Sequence, residues 1–274
     1  MTDPTPTPDH APAADPPADA ADAAAEAPAL RALRCLDLTD LNDAATEADA
    51  RALGVRARTP FGPVAAVCTW PRLAAFARET APPDVRVACV AAFPSGDGRD
   101  EDAVAEAEAA IAAGADEIDL VIPWRELLEG RPQSVRARIE RVRRAIGPAC
   151  LKAILETGVM PDRRTMRAAA DLALEGGADF LKTSTGRTPV GATLSAAQVL
   201  LEAVREADRP AGVKVSGGIR TVDEALAYLS LADEVMGAGW ARPATFRLGA
   251  SSLLDALTAE LAGEAPAATG TETC

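Results

Sequence analysis

Short apolar, β-prone runs alternate with stretches of helical periodicity along most of this chain, and the alternation repeats eight times. The β-prone runs are Leu33–Leu38, Val64–Thr69, Val85–Ala91, Glu117–Ile122, Leu151–Glu156, Phe180–Ser184, Gly212–Ser216 and Glu234–Gly237. Between them the spacing predicts helices near Thr46–Arg56, from Pro71 onward, and over Asp100–Ala113, Ser134–Ile146, Asp162–Glu175, Ser195–Ala207, Val222–Leu231 and Ser251–Leu261. Thr46 and Glu47 give one helix a polar, acidic start, and Pro71 opens another where a missing N–H costs little. Strand–helix repetition at roughly 25 to 35 residues per unit implies parallel strands joined by helical crossovers. Eight such units in roughly 230 residues fit a closed barrel better than an open doubly wound sheet. No GxGxxG follows the first run, as a dinucleotide-binding open sheet would need. The expected fold is therefore α/β, a single-domain (β/α)8 TIM barrel over residues 30–262.

The flanks carry no such pattern. Residues 1–29 are almost entirely Ala, Pro, Asp and Thr, and 263–274 are rich in Ala, Thr, Gly and Glu. Neither stretch has enough large apolar side chains to bury, so both are expected to be disordered. They also carry much of the acidity, through Asp3, Asp9, Asp15, Asp19, Asp22, Glu26, Glu264 and Glu272. Removing those eight from the net charge of -13 leaves about -5 on the body, which argues against nucleic acid or an anionic membrane as partner. No basic, apolar leader pattern and no membrane-length apolar run is visible, so a cytoplasmic protein is expected. The five cysteines, Cys35, Cys68, Cys89, Cys150 and Cys274, are scattered without a CxxC pair and read as free thiols rather than zinc ligands or disulfides. The single histidine, His10, lies in the flank, which removes a Ser-His-Asp triad and histidine acid–base work from consideration.

One compositional bias points to chemistry. Of 28 basic residues only Lys152, Lys182 and Lys214 are lysine, and each sits in a β-prone run. A guanidinium stays protonated at any working pH, whereas an amine can lose its proton and become a nucleophile. Alternate strand residues point inward and barrel sites form at the C-terminal strand ends, so Asp119, Lys152, Lys182 and Lys214 can all face the interior. A structural salt-bridge network is one reading of such a cluster. The other is lysine imine chemistry, because one ammonium beside another favours the neutral amine. The loops Ser216-Gly217-Gly218-Ile219-Arg220 and Gly249-Ala250-Ser251-Ser252 follow the last strands and offer backbone amides, glycines and hydroxyls, the parts of a phosphate site. Helix capping by the serines is the simpler alternative.

Together these residues resemble the class I deoxyribose-phosphate aldolases, over about Leu33 to Leu257. The resemblance is carried by Asp37-Leu38-Thr39-Asp40-Leu41-Asn42, Phe93-Pro94-Ser95-Gly96, Ala115-Asp116-Glu117-Ile118-Asp119, Leu155-Glu156-Thr157-Gly158, Lys182-Thr183-Ser184-Thr185-Gly186, Lys214-Val215-Ser216-Gly217-Gly218-Ile219-Arg220 and Phe246-Arg247-Leu248-Gly249-Ala250-Ser251-Ser252. It implies that Lys182 forms the Schiff base, that Lys214 tunes it and shares in proton transfer, and that Asp119 moves protons through a bound water, with Lys152 in support. It implies a substrate phosphate on Gly217, Gly218, Ser251 and Ser252, with Gly186 and Arg187 nearby. The implied reaction is reversible cleavage of 2-deoxy-D-ribose 5-phosphate to D-glyceraldehyde 3-phosphate and acetaldehyde, written with C3–C4 as the bond broken. No metal or organic cofactor is implied, the only partner expected besides the phosphorylated sugar is a second copy of the chain, and a homodimer is expected. Two departures stand out: Arg187 where relatives often have lysine, and no tyrosine besides Tyr228, where some relatives end in one that reaches the site. An imine-forming aldolase for another sugar phosphate and a non-catalytic sugar-phosphate sensor are the alternatives.

Overall fold

The structure, a computed structural model, describes residues 26–264. The flanks expected to be disordered fall mostly outside that span, as do His10 and Cys274. Eight parallel strands close into one barrel: β1 Leu36–Thr39, β2 Ala66–Thr69, β3 Arg86–Ala91, β4 Glu117–Val121, β5 Cys150–Ile154, β6 Phe180–Lys182, β7 Gly212–Ser216 and β8 Phe246–Ala250. Each strand pairs with its neighbours in sequence, and β1 closes the ring on β8 through Leu36 with Leu248, Asp37 with Gly249, and Leu38 with Ala250. Around them run α1 Pro28–Arg34, α2 Glu47–Arg56, α3 Ala74–Thr80, α4 Asp100–Ala112, α5 Trp124–Leu128, α6 Gln133–Ile146, α7 Arg163–Glu175, α8 Leu194–Glu206, α9 Val222–Met236 and α10 Leu253–Ala262. The expected (β/α)8 TIM barrel is the fold observed. Among the described residues no helix is long and apolar enough to cross a membrane.

The strand pleat separates two environments. Leu36, Leu38, Val67, Val87, Ile118, Leu120, Leu151, Ala153, Leu181, Val213, Val215 and Leu248 join the large core between barrel and helices. The opposite face lines the barrel and is charged on six of the eight strands, with Cys68, Ala88 and Val90 forming its small apolar sector. Helix faces match the outer core: Val135, Ile139, Val142 and Ile146 of α6 recur at helical spacing and are buried. Capping boxes start two helices, Thr46 with Asp49 at α2 and Thr221 with Glu224 at α9.

Two elements differ from the sequence pattern. Glu234–Gly237 is not the eighth strand, because α9 runs unbroken to Met236 with Ala225, Tyr228, Leu229 and Ala232 buried along one face. The eighth strand is Phe246–Ala250: Phe246, Leu248 and Ala250 alternate outward into the core, while the inner positions Arg247 and Gly249 are a charge and a glycine, residues that on their own weaken a strand reading. Leu33 likewise belongs to α1, which packs against α9 and α10, and β1 starts only at Leu36.

Candidate active site

Strand register brings the reactive side chains together. Asp119 of β4 pairs with Lys152 of β5, and Lys182 of β6 with Lys214 of β7. Asp119 is the hub. Its Oδ2 accepts from Lys182 Nζ at 2.7 Å and Lys214 Nζ at 2.6 Å, while its Oδ1 accepts from Lys152 Nζ at 2.8 Å. The three lysines and Asp119 are buried, Lys182 alone among the lysines reaching the cleft above. Lys152 stands opposite Phe180, two residues below the level of Lys182, and is held by Glu117 at 2.5 Å as well as by Asp119. Lys214 is shared with Asp37 at 2.6 Å. Gly249 makes this possible: a Cβ there would meet Lys214 Cε at 3.0 Å and Ser216 Cβ at 2.8 Å.

The electrostatics separate the three amines. Burial opposes charge on all of them, but around Lys152 the carboxylates of Asp119, Glu117 and Asp37 overcome it and raise the amine well above the ordinary lysine value. Asp119 and Asp37 do the same for Lys214. Lys182 has Asp119 alone, which two other ammoniums already share, so burial together with Lys214 brings it below its ordinary 10.5. Burial works against ionised Asp119, yet Lys152, Lys182 and Lys214 hold it well below the carboxylate range. Lys182 is thus the amine that most readily becomes neutral, and the one that substrate can touch.

Above Lys182 opens a cleft of about 560 Å³, lined by the loops after β1, β6, β7 and β8. Gly186, Arg187, Gly217, Gly218, Ser251 and Ser252 all line it. Gly217 and Gly218 both take positive φ, 93° and 92°, turning the loop after β7 along the cleft in a conformation L side chains rarely adopt. Ser251 and Ser252 are exposed at the start of α10, and Ser252 makes no side-chain capping bond, so its hydroxyl is not spent on the helix. Arg187 lines the cleft but is already engaged, donating to the Leu41 carbonyl and, at 2.9 Å, to Asp43 Oδ1. It belts the loop after β6 to the loop after β1.

Several contributors escaped the sequence reading. Glu156 is fully buried in a left-handed conformation (φ 55°), and its carboxylate accepts from the hydroxyls of Thr185 at 2.5 Å and Thr188 at 3.1 Å. That fixes the loop bearing Gly186 and Arg187, and the positive φ at this non-glycine residue is backbone strain that the surrounding contacts hold in place. Asp37, Glu117 and Arg247 complete the interior charge cluster; the period-two alternation that placed Asp119 inward applies to them equally. Arg220 adds a second guanidinium to the cleft wall. Among the described residues no group of three or more His, Cys, Asp or Glu is placed to hold a metal ion.

Comparison with known proteins converges on one family. The DeoC/LacD family aldolase profile matches residues 31–258. A curated deoxyribose-phosphate aldolase from Agrobacterium fabrum is 49% identical over 215 residues, covering 77% of this chain and 83% of that protein. A Toxoplasma gondii structure assigned as a deoxyribose-phosphate aldolase superposes with a TM-score of 0.77 at 26% identity, covering 86% of this chain and 93% of that one. The tetrameric deoxyribose phosphate aldolase from Aeropyrum pernix gives 0.70 at 27% identity, covering 90% of this chain and 99% of that one. A barrel whose interior amines converge on one carboxylate beneath a glycine- and serine-lined cleft therefore goes with a family match across nearly the whole barrel, and the chain belongs to the DeoC/LacD family of aldolases.

Proposed function

We propose that this aldolase reversibly cleaves 2-deoxy-D-ribose 5-phosphate to D-glyceraldehyde 3-phosphate and acetaldehyde through a Schiff base on Lys182. The observation that carries the reading is the sharing of Asp119 by three buried amines, of which only Lys182 faces the cleft and is driven toward neutrality. The neutral amine attacks C1 of the open-chain aldehyde, and the carbinolamine loses water to give an iminium. Removal of the proton from the C3 hydroxyl lets its electron pair form the C3 carbonyl as C2–C3 breaks, the bonding pair passing into the iminium to give an enamine. The bond is C2–C3 and not C3–C4, because an acetaldehyde enamine holds only C1 and C2. Protonation of the enamine at C2 and hydrolysis of the imine release acetaldehyde and the free amine. Asp119, ionised and in contact with Lys182 and Lys214, moves these protons through water, while Lys214 keeps the nucleophile's proton affinity low. Lys152, outside the cleft and locked between Glu117 and Asp119, supports by holding Asp119 in place.

Backbone amides of Gly217 and Gly218, the start of α10 and the hydroxyls of Ser251 and Ser252 receive the phosphate, with Gly186 at the same wall and Arg187 and Arg220 adding positive potential. The cleft volume suits a pentose phosphate. A cytoplasmic setting and a homo-oligomer go with this reading; the free thiols of Cys35, Cys68, Cys89 and Cys150 fit a reducing compartment. The test is borohydride reduction with deoxyribose 5-phosphate or acetaldehyde, alongside a coupled assay for glyceraldehyde 3-phosphate. An adduct on Lys182 with product release is expected. An adduct on Lys214 would overturn the roles, and neither adduct nor product would favour a sugar-phosphate sensor.

Replacing Ser251 and Ser252 together with alanine should raise KM for deoxyribose 5-phosphate by about tenfold to a hundredfold, the loss of one or two charge-assisted hydrogen bonds. The rate of trapping by acetaldehyde, which has no phosphate, should stay near wild type. Equal losses in both measurements would mean that the two serines shape the cleft without holding phosphate.

A further inference from the structure

Arg247 and Glu117 take no part in the steps above, yet both are buried, charged and directed into the barrel. Arg247 donates to Asp37 Oδ1 at 2.7 Å and Glu117 Oε1 at 3.0 Å, and its guanidinium lies 5.6 Å from the Phe180 ring. Both residues border a separate hollow of about 890 Å³ at the barrel floor, whose lining includes neither Lys182 nor the loops of the catalytic cleft. The cluster therefore runs the depth of the barrel, from Arg247 and Glu117 at the floor through Asp37, Lys152, Asp119 and Lys214 to Lys182 at the mouth.

The carboxylates are three, Asp37, Glu117 and Asp119, and the cationic groups are four, Lys152, Lys182, Lys214 and Arg247. The hollow is also lined by Arg34, Asp84, Arg86 and Asp116, two of each sign and none of them buried; Glu156, buried at the mouth, gives its carboxylate to the hydroxyls of Thr185 and Thr188; the thiols of Cys35, Cys68, Cys89 and Cys150 are pushed up by burial and stay uncharged, and the buried inner positions of β3 are Ala88 and Val90. An unbalanced charge inside a barrel is costly, so the cluster favours shedding one proton. A guanidinium does not release it; an amine does. We propose that Arg247 creates this surplus and, together with Glu117, sets from the barrel floor the pH at which Lys182 becomes a nucleophile. The inference rests on reading Lys182 as the imine-forming residue. Arg247 occupies Oδ1 of Asp37 and both carboxylate oxygens of Glu117. Without it, three carboxylates would face three lysines one for one, and each amine would keep its proton.

The sign of each change follows. Imine formation needs the neutral amine, so it rises as pH passes upward through the Lys182 value. Arg247→Met removes the surplus and should move that midpoint to higher pH by about one unit, with about tenfold less adduct on the acid limb. Glu117→Gln removes a negative charge and should move it to lower pH. The double variant, with two carboxylates and three lysines, restores a surplus of one and should return the midpoint toward wild type. The experiment equilibrates each protein with limiting acetaldehyde across a pH series, quenches into borohydride and quantifies the Lys182 adduct by peptide mass. Opposite shifts in the single variants with return in the double are the expected result. An unchanged midpoint in Arg247→Met and Glu117→Gln, with only less adduct, would show a purely structural role and overturn the proposal, as would a double variant shifted as far as Arg247→Met. If Arg247→Met does not fold, the acid shift of Glu117→Gln and its reversal in the double decide the same point. Failure of the wild type to trap would sink the imine reading itself, a separate outcome.

Discussion

Replacing Lys182 with arginine is expected to reduce aldol cleavage by about four orders of magnitude or more and to abolish borohydride trapping, because it removes the proposed nucleophile while keeping the charge. The choice of arginine isolates the cause. Lys182 meets Asp119 at 2.7 Å, and a guanidinium placed there still compensates the carboxylate, so the fold should persist. What it cannot do is lose a proton near neutral pH and attack a carbonyl. Lys214 remains in the variant but is doubly paired with Asp37 and Asp119 and absent from the cleft lining, so it should not substitute. A folded Lys182→Arg protein retaining more than a small fraction of activity, or still trapping acetaldehyde, would place the Schiff base elsewhere.

Asp119→Asn should have the second largest effect, and on two separate readouts. Asparagine keeps the shape but leaves Lys152, Lys182 and Lys214 without their common counter-charge. Breaking a buried ionic hub in this way costs about 3–5 kcal/mol, a drop in melting temperature of roughly 10 °C for a domain of this size. The pH dependence of that loss has a definite sign. Asp119 is held below its ordinary 3.8, so the stability it contributes is fully present above that value and fades as pH falls through its folded-state value. The gap between wild type and variant should therefore be widest near neutrality and should narrow in strong acid. Turnover should fall by about a hundredfold to ten thousandfold through loss of the proposed proton carrier. Adduct formation on Lys182, by contrast, should survive and begin at lower pH, since the neighbour that favours its ammonium form is gone. Loss of trapping in a folded Asp119→Asn protein would contradict the division of labour between Asp119 and Lys182.

How much of this was legible beforehand depends on the kind of signal. Asp119, Lys152, Lys182 and Lys214 were readable because they interrupt apolar strands at positions of known parity. The cleft glycines and serines were readable from loop composition after the strands. Glu156 was not, since nothing in Leu155-Glu156-Thr157-Gly158 reveals that its carboxylate turns toward Thr185 and Thr188 on a different loop. Arg187 was read as a phosphate contact, and its tie to Asp43 and the Leu41 carbonyl depends on two loops far apart in sequence meeting across the cleft.

Local periodicity by itself determined that strands and helices alternate, that eight such units make a barrel, and that three lysines and Asp119 point into it, because burial patterns repeat within each element. It misplaced the eighth strand, because Phe246–Ala250 turns Arg247 and Gly249 inward, where the neighbouring strands supply a carboxylate for one and demand space from the other. Only the closed barrel decided which of the three amines is brought below its ordinary value. That outcome is a property of seven charged groups, drawn from six strands, sharing one interior. Counter-charge in such an interior is apportioned by distance across the ring, and distances across the ring are set by closure alone.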